Sequence, residues 1–361
     1  MIGAATLGTA VALTMVVVVT GCAVTTPLAR PVAPTRTQQV SLIDQFDILW
    51  QRFDEVYPSF QYKGVDWAQQ RERYRARAES ALSQDALVTV LLNMLAPLQD
   101  RHVWLVDPRG QIVSTYKGML LLNFDEQRWR AAMMTHDIVP DDDLTVGTID
   151  GFAYLQMGSW PSPGASELLD TALLAHRNAP GLILDLRRNA GGNDVIALGF
   201  AGRFTRQSFP ASYVEIRTDP RVSEIEMPLA RMLSPKGEFQ YTRPVVVITG
   251  RGSLSATETF VAAMRTLKQV TVIGDTTGGA SGNPATYELG NGWKFTVPRW
   301  LAYGPDLEPI EGRGLAPGIA IPWRPADYPA DRDPLIDAAL DILFEQTGAI
   351  RTVVPSAPND R

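Results

Sequence analysis

The sequence predicts an α/β protein, a layered and mainly parallel sheet with crossover helices, with a small helical domain placed before it. Three observations carry that expectation. Aromatic and aliphatic residues recur at helical spacing early in the chain, as in Phe46, Leu49, Trp50, Phe53 and Tyr57. From Gly118 onward, short β-branched or aliphatic runs such as Leu182–Leu186 and Val245–Thr249 alternate with helical segments. Turn residues close those runs, among them Gly191-Gly192, Gly250-Arg-Gly252 and Gly290-Asn-Gly292.

Composition removes several function classes. The 361 residues are 45% hydrophobic and 20% charged, as in a globular protein with a sizeable core. A net charge of −6 offers no basic surface for nucleic acid. The N-terminal stretch differs from the rest. Ile2 to Val19 is almost wholly apolar or small, which suits the hydrophobic region of an export signal over residues 1–21, although only the amino group of Met1 supplies positive charge. It ends in Val19-Thr-Gly-Cys22, the only cysteine, so no intramolecular disulfide can form. That ending resembles the lipobox of bacterial lipoproteins. The resemblance implies cleavage before Cys22, lipid on its thiol and a periplasm-facing place in the bacterial cell envelope. The rest of residues 22–40, rich in Pro, Thr and Ala, reads as a flexible tether.

Residues 41–108 form the expected helical domain. The first helix ends at Pro58 and Gly64, a second starts at Asp66 with Gln69 three positions on, and Ser83 caps a third from Ala86 to Leu95. The domain closes on a helix-to-strand junction, Leu98 to Val106, that carries His102. Residues 113–346 form the expected core. Met119–Asn123 and Phe152–Gln156 read as strands, 166–177 as an amphipathic helix, 182–186 as a buried strand and 194–204 as a helix. The strand 245–249, its helix to Leu267, the strand 270–274, a hairpin about Gly290-Asn-Gly292, a short strand 319–321 and a helix from Asp333 to Glu345 complete it. Residues 347–361 read as a disordered tail.

Functional groups in such a fold gather where loops leave the carboxyl ends of strands. Gly191-Gly192 and Ser255 both fall there. Ser255, followed by Ala-Thr-Glu258, has the spacing of a capping box, and equally that of a nucleophile at a helix N-terminus, where negative charge is stabilised. The glycine pair serves a tight turn or an exposed N–H donor, and neither phosphate-loop motif is present. Of the three histidines, His176 sits near a helix end, His136 in a loop, and His102 at an element boundary within apolar sequence. So dispersed, they show no metal-ligand spacing.

Taken together, Leu184-Asp-Leu-Arg-Arg-Asn-Ala-Gly-Gly192, Ser253-Leu-Ser-Ala-Thr-Glu258 and Val272-Ile-Gly-Asp-Thr-Thr-Gly-Gly279 resemble, in that order, the tail-specific (C-terminal processing) serine peptidases. The front segment, with Asp66-Trp67 and Asp100-Arg-His102, is similar to the helical region of tricorn-type members. The resemblance implies a ClpP/crotonase-like core, peptide or protein substrates, no metal and no cofactor. One branch of the family uses a lysine base at the place held here by Ala280. The tricorn-like branch uses a junction histidine, which matches His102. Carried over, Ser255 is the nucleophile, His102 the general base and Glu311 the acidic partner. N–H groups near Gly191 or Gly192 and of Ala256 form the oxyanion hole. A serine that precedes the histidine in tricorn is Arg101 here, so either Glu311 bonds the imidazole directly or another residue such as Asp100 orients it. The family's PDZ module has no room between Val103 and Gly151. A non-catalytic binding protein on the same fold and an esterase using the same site are the competing readings.

Overall fold

The computed structural model describes residues 39–116, 118–161, 166–217 and 228–351. The expected export segment, Cys22 and all but the end of the expected tether lie outside them, as do residues 352–361 of the expected tail.

The chain enters α1 (Leu42–Val56), α2 (Trp67–Glu79) and α3 (Gln84–Leu95), whose N-caps are Ser41, Asp66 and Ser83, each accepting a backbone N–H within the first turn. A capping side chain satisfies one of the donors that a helix start leaves unpaired. Then come β1 (Trp104–Val106), β2 (Ile112–Ser114), α4 (Glu126–Thr135), β3 (Leu144–Ile149), β4 (Phe152–Met157), α5 (Ser166–Ala175), β5 (Leu182–Asp185) and α6 (Asp194–Ala201). They are followed by β6 (Phe209–Glu215), β7 (Leu229–Leu233), β8 (Val245–Thr249), α7 (Ala256–Met264), β9 (Val270–Gly274), β10 (Pro284–Gly290), β11 (Trp293–Pro298), β12 (Leu301–Tyr303), β13 (Ile319–Ala320) and α8 (Pro334–Thr347).

The central sheet has six strands in the order β13-β9-β8-β5-β4-β3, every neighbouring pair parallel except β3 with β4. Both faces are covered, so β8 is buried throughout and reads as a continuous apolar run. Its side chains still alternate. Val245 and Val247 join the core with α5, α6 and α7, while Val246 and Ile248 join that with α4 and α8. The three front helices pack on an antiparallel sheet, β10-β11-β1-β2, so Leu289, Phe295 and Val297 from late in the chain fill the same core as Phe46, Leu49 and Phe53. This stitches the His102 junction to the later half of the molecule. A third sheet, β12-β6-β7, completes the fold.

Two sequence expectations change here. Met119–Asn123 is not a strand: Met119 is 84% and Leu121 78% exposed, and the segment crosses the sheet end rather than lying in the sheet. Its apolar run lacks the partner strands that would bury it. Only Asn123 turns inward, and its Nδ2 donates to Thr249 O at 2.9 Å. The helix expected over 166–177 stops at Ala175, leaving His176 just past its end. No helix among the described residues is long and apolar enough to cross a membrane.

Candidate active site

β8 delivers the chain into a tight turn and then α7. In that turn Ser253 is wholly buried: its Oγ accepts from Gly250 N–H and donates to Leu186 O at 2.8 Å. Ser253 is therefore committed to holding the turn. Ser255 differs. Its backbone lies at φ 57°, ψ −122°, a conformation rare for any residue with a Cβ, and its side chain makes no capping hydrogen bond. The capping-box reading fails for that reason, because a capping serine takes extended backbone to reach the free N–H groups of the first turn. The Glu258 carboxylate is taken up mainly by a third segment. Its Oε1 accepts from Thr277 Oγ1 and Gly279 N, and its Oε2 from Ala280 N, at 2.6 to 2.8 Å. Burial pushes its carboxyl up to about 7 against those donors.

Opposite Ser255 stands the loop after β5. Gly191, at φ 111°, has no room for a side chain, since a Cβ there would lie 2.6 Å from Ser255 Cβ. Asn189 Oδ1 accepts Gly191 N–H at 3.0 Å and the Thr257 hydroxyl at 2.7 Å, tying this loop to the start of α7. That leaves Gly191 N–H engaged. Among the described residues no acceptor meets the N–H of Gly192 or of Ala256. Ala256 opens α7, where the helix dipole adds positive potential.

His102 is 8% exposed. Its backbone N–H donates to Asp100 Oδ1 at 2.8 Å, its carbonyl accepts from Thr296 Oγ1 at 2.7 Å, and its Nδ1 accepts Gly282 N–H at 3.3 Å. Burial holds the imidazole below its usual pKa, with the Asp100 carboxylate opposing. The segment Ala280–Gly282 thus touches both residues, because Ala280 O accepts the backbone N–H of Ser255 at 2.7 Å. No hydrogen bond joins the Ser255 hydroxyl to the imidazole in this arrangement; such bonds commonly tighten only when substrate docks.

Glu311, 3% exposed, sits on the same segment through Gly312 N–H to Gly279 O at 2.8 Å. Its Oε1 accepts from Lys63 Nζ at 2.8 Å, and its buried Oε2 has no partner. Burial first, then the nearby Asp100 charge, raises its pKa well above the carboxylate range. Both Asp100 oxygens are taken, one by His102 N–H and the other by the Tyr57 hydroxyl at 2.9 Å. Arg101 points elsewhere, over the Tyr116 ring and onto Gly118 O at 3.0 Å. Neither carboxylate bonds the imidazole directly.

The structure therefore gathers Ser255, His102, Glu311 and the glycine pair around segment 277–282, while His136 caps α4 and His176 lies half-buried past α5, apart from this cluster. Sequence reasoning missed Glu258 as the clamp on that segment, Asn189 as the tie between loops, and Lys63 as the cation on Glu311. Only Glu258 left a trace, as a charge inside the otherwise apolar run of α7.

The family model described as peptidase family S41 matches residues 151–321, and the tricorn protease C1 domain matches residues 44–96. A crystal structure from Parabacteroides merdae, provisionally described as a peptidase, superposes with a TM-score of 0.75 at 30% identity over 86% of this chain and 99% of that one. Carboxy-terminal processing protease CtpA of Bacillus subtilis is 31% identical over 169 residues, 46% of this chain and 34% of that protein. Tricorn protease homolog 1 of Streptomyces coelicolor is 28% identical over 220 residues, 57% of this chain and 18% of the homologue. The chain thus spans about a third or less of these two relatives.

Proposed function

The chain belongs to peptidase family S41, and from that membership we propose that it is an exported serine peptidase cleaving peptide bonds with Ser255 as nucleophile and His102 as base. Residues 41–108 serve as its front domain and 113–346 as its peptidase core, with lipid on Cys22 holding both at the cell envelope. The observation that carries the catalytic reading is the backbone of Ser255, strained at a helix N-terminus against Gly191, with a hydroxyl that bonds nothing in the fold. Strain of about 1–3 kcal/mol persists only where the surroundings impose it, and it concentrates at functional sites.

In this mechanism His102 takes the Ser255 proton as Oγ attacks the substrate carbonyl. The N–H groups of Gly192 and Ala256 receive the oxyanion, and His102 then protonates the leaving amine. Water repeats the sequence on the acyl-enzyme. An imidazole that accepts a proton on Nε2 must carry its own on Nδ1, and Nδ1–H needs an acceptor in place of the donor Gly282. Glu311 Oε2, buried and unpartnered, supports the assignment of Glu311 as that acceptor. Asp100 then orients the histidine backbone and adds favourable charge.

The test is labelling with a serine-directed phosphonate. Wild-type protein is expected to be labelled at Ser255, His102→Ala to lose the label by about 10³-fold or more in rate, and labelled wild-type protein to lose peptide turnover. Folded wild-type protein that takes no label would favour a binding protein, and labelling that survives His102→Ala would remove the proposed base. Turnover of esters but not peptides would make the site an esterase.

A further inference from the structure

A buried ion pair inside the candidate site comes from an unexpected part of the chain. Lys63 lies in the turn that follows α1, fixed by Lys63 N–H to Ser59 O at 2.8 Å and by Val65 N–H to Phe60 O at 2.9 Å. Phe60 anchors the turn in the front core, with its ring centroid 4.8 Å from Tyr57 and 4.9 Å from Trp67. Two successive side chains of this turn meet one residue. The Tyr62 hydroxyl donates to Glu311 O at 2.8 Å, and Lys63 Nζ to Glu311 Oε1 at 2.8 Å. The side chains of the pair are 10% and 4% exposed.

Buried ion pairs add little net stability, because desolvation cancels much of their attraction. Stability alone is therefore a poor reason for this pair. The charges facing Glu311 suggest another. Asp100, on the turn before β1, and Glu258, on α7, both act on it as negative neighbours. Tyr57 behind Asp100 is held as the neutral phenol by burial and by the Asp100 and Glu311 carboxylates. Lys63 is the one cation in ion-pair contact with Glu311 among the described residues.

We propose that Lys63 is a positioning residue for the reaction: it favours the ionised form of the buried Glu311 carboxylate and holds it turned so that Oε2 can accept the Nδ1–H of His102. The front helical domain thereby supplies the cation that favours the charged form of the peptidase core's acidic partner. This rests on Glu311 being that partner.

The sign follows directly. An ionised Glu311 is needed, so activity is present above its pKa and is lost as pH falls through it. A cation beside a carboxylate lowers that pKa, by about 1–3 units at such distances. Removing Lys63 therefore moves the acid limb of the kcat profile to higher pH.

The experiment compares peptide hydrolysis against pH in wild type, Lys63→Met, Lys63→Arg, Glu311→Gln and the double variant Lys63→Met/Glu311→Gln. Lys63→Met is expected to shift the acid limb up by about one unit or more, which lowers kcat about tenfold at any pH below both limbs, with KM little changed. Lys63→Arg should restore the wild-type profile, and Lys63→Met should add nothing in the Glu311→Gln background. A wild-type profile in folded Lys63→Met, a loss equal at every pH, or a loss that persists without Glu311 would each overturn the role of Lys63 while leaving Glu311 in place. Wild-type behaviour of Glu311→Gln would instead remove Glu311, and this inference with it. If Lys63→Met does not fold, the double variant decides. Folding restored by removing both charges supports compensation between them, and folding not restored overturns it.

Discussion

Ser255 and Ser253 are two residues apart, both hydroxyls, both beside glycine, and local pattern alone does not separate them. The fold does, by giving each a different duty. Ser253 is buried with its oxygen bonded twice, while Ser255 holds a positive φ and leaves its oxygen free of the fold. That strain is measurable. Ser255→Gly should be more stable than Ser255→Ala by about 1 kcal/mol, as glycine adopts positive φ without penalty and relief outweighs its extra unfolded-state entropy. Both variants should be inactive. Equal denaturation midpoints for the two would mean that the backbone stores no strain. The acidic partner was also beyond local reading: Glu311 could be matched by resemblance, but its Lys63 contact joins residues 248 positions apart.

At the scale of elements, the site is held by a segment with no regular structure of its own. Residues 277–282 run between β9 and β10, and α7 fixes them through Glu258, whose carboxylate takes three donors there. The same segment then accepts Ser255 N–H and offers Gly282 N–H to His102. Glu258→Gln keeps the shape but replaces one acceptor oxygen by a donor, leaving a buried N–H unpaired. A loss of about 1–3 kcal/mol is expected, together with a lower kcat at nearly constant KM. Stability and kcat both at wild-type level would show that this clamp does not position the segment. The helix starts at Asp66, Ser83 and Asp333 were legible because a cap is a local bond. The Ser255–Glu258 spacing misled for the same reason, since a short-range pattern cannot report that a third segment has claimed the glutamate.

At the scale of the whole molecule, the front helices and the later hairpin share one core, so the junction bearing His102 is positioned by residues nearly 200 places away. A second long-range tie fixes the other side of the site. Arg187, fully buried, bonds Asp185 at the end of β5 and Asp333 at the start of α8, at 2.5 to 3.0 Å. It holds the loop that leads to Gly191 against the helix that covers the sheet. Beyond the fold, the envelope reading makes one prediction. Cys22→Ser should move the protein from the membrane fraction to the soluble fraction of cells, because multiple acyl chains rather than any helix would hold it there. Unchanged membrane association would contradict the lipid.

By itself the sequence determined the α/β class, the helical front, the caps at Asp66, Ser83 and Asp333, and the strand ends where a site could form. These follow from period, turn chemistry and bonds within a few residues. Met119–Asn123 escaped it, because burial of an apolar run depends on a partner strand and none comes. The tertiary structure alone decided that Ser253 is spent, that Gly191 N–H is engaged while Gly192 N–H is not, and that each Asp100 oxygen already accepts a bond. It also brought Lys63 to Glu311. Each of these is a contact between distant segments, and such contacts exist only once the chain has packed.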